Sequence, residues 1–189
     1  DLGSIEEIVF AVRVSGRDHW YVNFGYYSCD NGPPADRCFG KYPDGKTLRG
    51  YGDGGRLCRL NLLTGKLTVL LDDPKGGVRD PQMHYDGAKA LFSYRPGGTE
   101  HYHLYEINVD GTGLRQITGT DSDLLTGADG RMTVLCEDYD PCYLPDGGIA
   151  FISTRNQGGV RCHNGGRYCP TYVLFRCGSD GSNIFQISF

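Results

Sequence analysis

The fold is decided by the stretch Asp80-Pro81-Gln82-Met83-His84-Tyr85-Asp86-Gly87, which is followed by Phe92-Ser93-Tyr94-Arg95. At an offset of about 60 residues the chain repeats the pattern as Asp140-Pro141-Cys142-Tyr143-Leu144-Pro145-Asp146-Gly147, followed by Ile152-Ser153-Thr154-Arg155. Both copies fit Asp-Pro-x4-Asp-Gly-x5-Ser-x-Arg. Agreement over that many positions predicts two copies of one supersecondary unit.

A second block occurs three times and predicts a hairpin in each copy. Each copy has two short apolar, β-prone runs on either side of a turn, and the turns are Thr64-Gly65, Asp110-Gly111 and Asp180-Gly181. Glycine supplies the positive φ angle that a tight hairpin turn needs. In order, one full repeat reads strand, Asp-Gly turn, strand ending in Ser-x-Arg, loop, strand, turn, strand.

Four antiparallel strands per repeat predict an all-β fold, a partial β-propeller of about three blades. We assign blade one to about residues 5–71 with an insertion at 14–56, blade two to about 78–118, and blade three to about 138–188. Further insertions occupy 119–137 and 156–170. Blade one lacks a recognisable innermost strand, and Gly and β-branched residues interrupt every candidate helix.

Composition excludes several classes of function. The 189 residues carry 19 basic and 23 acidic side chains, with a pI near 5.7, which argues against nucleic acid as a partner. No apolar run reaches the roughly 18 residues that span a bilayer. The eight cysteines are even in number and lie mostly in loops, which favours an oxidising, secreted or periplasmic location.

The repeat resembles the TolB-type propeller repeat, through Phe92-Ser93-x-Arg95 and the run from His103 to Thr118. A more specific resemblance covers nearly the whole chain and is to the hydrazine synthase α-subunit and its related proteins. It rests on Asn23-Phe24-Gly25-Tyr26-Tyr27-Ser28-Cys29, Gly54-Gly55-Arg56-Leu57, Val78-Arg79-Asp80-Pro81-Gln82, Asp140-Pro141-Cys142 and Cys169-Pro170-Thr171-Tyr172.

The second resemblance implies a large extracytoplasmic protein in which a propeller lies beside c-type haem domains, within a complex that joins nitric oxide and ammonia to make hydrazine. Haem attachment needs Cys-x-x-Cys-His, which this chain does not contain. We therefore expect no cofactor in this chain, with haem c in neighbouring domains or subunits. No catalytic residue can be named, so whether the chain is part of an enzyme stays open.

The loop cysteines allow three interpretations, which are disulfides, a zinc site and free thiols. Disulfides are favoured for Cys29, Cys38, Cys136, Cys142, Cys162 and Cys169, with Cys29 paired to Cys38, and Cys162 paired to Cys169, Cys142 or Cys136. Zinc bound by four of them together with His163 is the alternative, although no Cys-x-x-Cys pair is present. Cys58 and Cys177 lie in third strands, where a cysteine is usually a small buried hydrophobe.

His101 and His103 are the candidate metal ligands, because two imidazoles two residues apart share one face of a strand. Such histidines more often hydrogen-bond to the backbone of a neighbouring blade, which is the favoured role. Arg79, Asp80 and Asp140 begin the innermost strands and should border the central channel; a small polar ligand is one role, and a turn device at the strand start is the commoner one. Glu137, Asp138 and Asp140 offer calcium ligands, but without the EF-type spacing we favour solvated loop acids. The aromatic residues of 19–27 form either a contact patch or a local core.

Three blades do not close a propeller, which usually needs about four to eight. The end blades should therefore expose apolar faces near Val9 and Ile152, to be covered by missing blades of the same chain or by other protein chains, including further copies. The sequence favours a scaffold and interaction domain of a larger assembly. The alternatives are a propeller domain of a hydrazine synthase-like multihaem oxidoreductase and a self-assembling, filament-like protein.

Overall fold

The computed structural model describes residues 5–15, 51–99, 101–120, 125–126, 132–134, 136–156, 159–162, 167–170 and 172–188. Every regular element in these ranges is a β-strand, and every strand pair is antiparallel. A bilayer-crossing helix is not found among them. The predicted all-β, partial propeller is confirmed.

Blade one is a three-stranded sheet in its described part, with strand order β1-β2-β3. The strands are β1 (Glu7–Ser15), β2 (Tyr51–Asn61) and β3 (Leu67–Asp73). β1 and β2 therefore extend into the ends of the predicted 14–56 insertion, whose residues 16–50 lie outside the described residues, with the aromatic residues at 19–27 among them.

Blades two and three are four-stranded sheets with the predicted meander order. Blade two contains β4 (Gly77–Met83), β5 (Lys89–Arg95), β6 (His103–Asn108) and β7 (Arg115–Gln116). Two short strands, β8 (Leu125–Thr126) and β9 (Met132–Val134), pair between the blades. Blade three contains β10 (Asp138–Tyr143), β11 (Ile149–Ser153), β14 (Val173–Cys177) and β15 (Phe185–Gln186), and the hairpin β12 (Gly159–Cys162) with β13 (Arg167–Pro170) lies in its insertion.

Each Asp-Pro pair forms a β-bulge inside the innermost strand rather than its start. Asp80 and Pro81 together oppose one residue of β5, since Arg79 pairs with Ser93 and Gln82 pairs with Leu91. Asp140 does the same in β10. The two aspartates have φ values of 55° and 47°, which Asp tolerates better than most residues, and proline has no N–H that the ladder would need.

The two repeats differ by one residue in the register of their first hairpin. Leu144 N–H donates to the carbonyl of Gly148, whereas His84 N–H donates to that of Lys89, one residue further along. Phe92, opposite Tyr105, is therefore structurally equivalent to Phe151, opposite Phe175, and not to Ile152 as the 60-residue repeat predicts. In blade one the equivalent residue is Phe10, opposite Cys58.

The sheets stack face to face, and successive blades share a core. The core between blades one and two contains Leu57, Leu70, Val78, Ala90, Phe92, Tyr94, Tyr105 and Ile107. The core between blades two and three contains Leu91, Leu104, Ile117, Tyr143, Ile149, Phe151, Phe175 and Cys177. Within the described residues, blade two is therefore covered on both faces, and blades one and three on one face each.

Candidate functional site

Asp138 is the centre of a buried polar cluster at the start of β10, and its side chain is completely buried. Arg155 donates from Nε to Oδ1 at 3.1 Å and from Nη2 to Oδ2 at 2.7 Å. Ser153 Oγ donates to Oδ1 at 2.6 Å. Burial by itself raises the pKa of Asp138, but the charges of Arg155 and His103 outweigh it and hold the pKa well below its usual range.

Two further contacts reach Asp138 from blade two. Thr118 Oγ1 donates to Oδ2 at 2.7 Å, and His103 Nδ1 lies 3.1 Å from the same oxygen. The backbone N–H of Asp138 also donates to the carbonyl of Tyr102 at 2.9 Å. The cluster therefore joins the innermost strand of blade three to the third and fourth strands of blade two.

His103, Cys136 and Asp138 also place their potential ligand atoms within 4.8 Å of one another, which could hold a metal ion. The carboxylate of Asp138 is already in contact with Thr118, His103, Ser153 and both nitrogens of Arg155. A metal ion would have to take the His103 contact and lie beside the positive charge of Arg155. The hydrogen bonds of Asp138 therefore link blades two and three without a metal ion, and metal binding at His103 stays a prediction.

The two predicted histidines contact different carboxylates. His101 Nδ1 lies 3.1 Å from Oε1 of Glu137, whose buried Oε2 accepts hydrogen bonds from Tyr139 Oη and, at 3.3 Å, from the backbone N–H of Tyr102. His103 instead faces Asp138. The structure therefore brings each imidazole to its own acid across the blade boundary, so the contacts reach the neighbouring blade as expected but are made to carboxylates and not to backbone.

Arg79 and Asp80 form an ion pair with Nε and Oδ2 at 2.5 Å. The guanidinium is buried and lies 4.5 Å from the centre of the Tyr139 ring, and the backbone N–H of Asp140 donates to Asp80 Oδ2 at 3.4 Å. Burial lowers the pKa of Arg79, but Asp80 and Tyr139 reverse this and raise it. The arginine predicted to bind a polar ligand therefore already holds an acid and an aromatic face, while Asp140 is exposed.

The cysteines differ in burial and in the element that contains them. Cys58 and Cys177 are each 1% exposed, which confirms their prediction as buried hydrophobes. Cys136 is buried, and Cys142 is an exposed free thiol whose Sγ lies 3.4 Å from the carbonyl of Tyr143. Cys162 and Cys169 lie in one hairpin, at positions opposite Arg167 and Val160 respectively. Cys29, Cys38 and His163 lie outside the described residues, so the disulfides stay predictions.

The outward face of blade one, which we call the leading face, is apolar and exposed. It is formed by Ile8, Phe10, Val12, Leu67 and Val69. Ile8 is 40% exposed, whereas the structurally equivalent Ala90 and Ile149 are both 0% exposed, because each packs on the preceding blade. Val9, near which exposure was predicted, lies on the opposite side and packs against the core.

The outward face of blade three, which we call the trailing face, is apolar as well. Its exposed members are Leu174, Phe185 and Ile187. Ile152, near which exposure was predicted, is half-buried and packs against Tyr102 and Tyr139. Leu174 is 37% exposed and Ile187 is 42% exposed, whereas their equivalents in blade two, Leu104 and Ile117, are 0% and 2% exposed. Blade three covers those two residues, and nothing in the described part of the chain covers the trailing face in the same way.

The glycines of the three hairpin turns show the same difference between a covered and an uncovered blade. A Cβ at Gly111 would lie 3.3 Å from the carbonyl oxygen of Leu70 in blade one, and a Cβ at Gly181 would overlap the carbonyl oxygen of Ile117 in blade two. The equivalent Gly65 of blade one has no atom within 4 Å of that position. Each hairpin turn therefore packs on the outer strand of the preceding blade, and the first turn has no such neighbour.

Sequence reasoning marked Ser153 and Arg155 as repeat residues but missed that Asp138 binds them both. It favoured solvated loop acids for Glu137 and Asp138, which is wrong, because both are buried and hydrogen-bonded to different partners. One signal was available: position 138 is Asp where the repeat has Val78. An acid replacing an apolar residue at the start of an inner strand indicates a buried partner.

No protein-family model matches the chain, and no curated protein matches it. Solved structures with a similar fold include a TolB candidate from Agrobacterium tumefaciens, at 18% identity over 83% of this chain and 50% of that chain, with a TM-score of 0.49. TolB from Acinetobacter baumannii is 14% identical over 72% and 27%, with a TM-score of 0.47. Kuenenia stuttgartiensis hydrazine synthase is 16% identical over 98% and 32%, with a TM-score of 0.43. The chain thus spans half or less of each of these proteins, and the likeness concerns the fold.

Proposed function

We propose that the chain is an extracytoplasmic β-propeller segment that serves as a scaffold and interaction domain, with its two end faces covered by protein in a larger assembly. One observation carries this: the leading and trailing faces use positions that are buried wherever a neighbouring blade is present. Burying one half-exposed aliphatic side chain contributes roughly 1 kcal/mol. Contiguous apolar patches of this kind mark interaction sites on proteins.

The polar clusters support a structural role for the rest of the molecule. Asp138 contacts His103 of blade two and Arg155 of its own blade, and Glu137 contacts His101 of blade two. Arg79 is paired with Asp80. Within the described residues these charged groups bond to one another. The exposed apolar side chains of the two end faces are therefore the described feature that best fits a contact with other protein.

Site-specific photo-crosslinking of the native protein tests the proposal. A benzophenone amino acid replaces Val12 on the leading face or Leu174 on the trailing face, and Leu114, which is exposed on the fully covered blade two, serves as the control. We expect light-dependent products at positions 12 and 174 but not at 114, with the joined peptides identified by mass spectrometry. Absence of protein products from both faces would contradict an interaction domain.

A propeller domain of a hydrazine synthase-like multihaem oxidoreductase is the second candidate, favoured by the sequence segments that resemble that family. In that case haem would be held by neighbouring domains or subunits, because this chain has no Cys-x-x-Cys-His. An absorbance scan of the native assembly separates the two candidates. A Soret band in the assembly favours the haem-linked role, and a spectrum without one leaves the scaffold.

A further inference from the structure

Three side chains of kinds that bind metal ions meet at the boundary between blades two and three. His103 begins β6, Asp138 begins β10, and Cys136 lies two residues before Asp138. A ring nitrogen, the Sγ atom and a carboxylate oxygen of these residues all lie within 4.8 Å of one another. The ligands of a tetrahedral zinc ion, bound at about 2.0–2.3 Å, lie about 3–4 Å apart. A small closure of the three side chains is therefore enough to place them around one ion.

The imidazole of His103 is already held in a suitable position. The backbone of Gly119 lies against the ring, and a Cβ at that position would overlap the ring atoms. Nδ1 of the ring lies 3.1 Å from Oδ2 of Asp138. The side chain is 18% exposed, so an ion can reach the ring from solvent. Little rearrangement is needed for the nitrogen that faces the carboxylate to become a ligand.

The carboxylate of Asp138 can exchange one of its contacts for an ion. Oδ2 is 2.7 Å from Thr118 Oγ1 and 2.7 Å from Arg155 Nη2, so the contact of 3.1 Å with His103 is the longest of the three. Oδ1 keeps its hydrogen bonds from Ser153 and Arg155 when that contact is replaced. Carboxylates that bind metals are commonly fixed by such hydrogen bonds.

The charge of Arg155 is compatible with an ion at this place. A Zn²⁺ ion bound by one thiolate and one carboxylate has no net charge, so the guanidinium would face a neutral centre. A sulfur ligand favours zinc over magnesium or calcium. Binding requires Sγ of Cys136 to lose its proton and Nδ1 of His103 to be unprotonated, and the protons displaced by the ion pass to the solvent.

We propose that His103, Cys136 and Asp138 bind one zinc ion at the boundary between blades two and three, with the fourth coordination position open to water. The site is independent of the proposed interaction role. It also differs from the metal pair predicted from the sequence, because His101 faces Glu137. The ligands come from blade two and from the start of blade three, so the bound ion adds a link between the two sheets.

Cobalt(II) tests the site, because a cobalt ion with a cysteine ligand shows thiolate-to-cobalt charge-transfer absorption. The purified 189-residue chain is freed of metal with a chelator and titrated with cobalt. We expect the charge-transfer band, together with the intense visible bands of a four-coordinate ion, and both should disappear when zinc is added. Absence of the charge-transfer band from the unaltered chain would overturn the proposal.

Two pairs of variants locate the ion. Cys136→Ser should lose the charge-transfer band, and His103→Gln should weaken cobalt binding by more than about 10-fold, since removing even an outer partner of a ligand typically costs about 10–100-fold. The matched controls are Cys142→Ser, at an exposed thiol, and His101→Gln, which faces Glu137. Both controls should bind cobalt as the unaltered chain does. Equal losses within either pair would overturn the site.

Iodoacetamide labelling of the unaltered chain, followed by peptide mass spectrometry, needs no variant and so covers the case in which one fails to fold. Zinc should slow the labelling of Cys136 and leave that of Cys142 unchanged, because only the first sulfur becomes a ligand. Equal labelling of Cys136 with and without zinc, or the discovery of Cys136 in a disulfide, would overturn the proposal.

Discussion

At the scale of the residue, identical letters in the two repeats have different roles. Ser153 and Arg155 bind Asp138, but position 78 in blade two is Val, and the buried hydroxyl of Ser93 has no hydrogen-bond partner. Arg95 instead donates to Asp53 at 3.0 Å and to the carbonyls of Lys75 and Thr99. The sequence repeat therefore predicts where the strands lie. The hydrogen-bond partner of a buried polar side chain depends instead on the residue at another position, here 78 in blade two and 138 in blade three.

Replacing Asp138 by Asn should destabilise the fold strongly. The substitution keeps the shape but removes the negative charge that the buried Arg155 contacts through two nitrogens, and breaking a buried ion pair typically costs about 3–5 kcal/mol. The matched control is Asp146→Asn, because Asp146 pairs with Arg176 at 3.0 Å on the surface, where solvent screens the two charges and the loss should be small. Urea unfolding of both variants measures the difference, and equal losses would show that the buried pair contributes no more than the surface pair.

The same carboxylate should make stability depend on acidity. The folded-state pKa of Asp138 is lowered, so its contribution is present above the unfolded value of about 3.9 and is lost progressively as the pH falls below it. The stability difference between the unaltered chain and Asp138→Asn should therefore be largest near neutral pH and shrink below about pH 4. Urea midpoints measured across that range check this, and a difference that grows on acidification would contradict the assignment.

At the scale of the element, the turns determine which side chains face which blade. The first hairpin of blade two is one residue longer than that of blade three, and a one-residue change in register moves a strand's side chains to the other face. The sequence predicted the strands and the turns at Asp86-Gly87 and Asp146-Gly147 but not this shift, because Ala88 has no residue signature that distinguishes it from a strand residue.

Replacing Gly181 by Ala should cost more than replacing Gly87. Both glycines have positive φ, at 84° and 71°, so both substitutions carry a backbone cost of about 1 kcal/mol. Only Gly181 faces a neighbouring blade, since a Cβ there would overlap the carbonyl oxygen of Ile117, whereas Gly87 has open space. Thermal unfolding should show the larger loss for Gly181→Ala, and equal losses would mean that the turn does not pack between blades.

The hairpin β12–β13 is the element where a disulfide is most readily tested. Cys162 and Cys169 lie opposite Arg167 and Val160 in register, which makes them diagonal neighbours in one two-stranded sheet, with Cα atoms about 7–8 Å apart. A bridge between these two would need a shift of the backbone, so Cys142 and Cys136 stay the other predicted partners of Cys162. We expect non-reducing peptide mapping to find Cys162 in a disulfide, contributing a few kcal/mol by restricting the unfolded loop. Cys29 and Cys38 should form a second disulfide. Eight free thiols would count against both bridges and against the extracytoplasmic location.

At the scale of the whole molecule, the repeats predicted the stack of sheets and its two open ends. The pattern of apolar residues could not show which side of blade one is open, because Ile8 and Val9 are equally apolar in sequence. Only the register between β1 and β2 and the packing on blade two separate the exposed Ile8 from the packed Val9. The sequence thus predicted that the end blades expose apolar faces, but the structure was needed to identify the residues that form them.

The packing of each sheet on its immediate neighbours in the stack also affects which sheets open first when the chain unfolds. A linear stack behaves as a one-dimensional array, in which each unit is stabilised by its own strands and by its nearest neighbours, so the ends open more readily than the middle. Backbone amides in β5 and β6 of blade two should exchange with deuterium most slowly, and those of β1, β2 and β14 faster. Uniform exchange rates across the three sheets would show that the chain unfolds as a single cooperative unit.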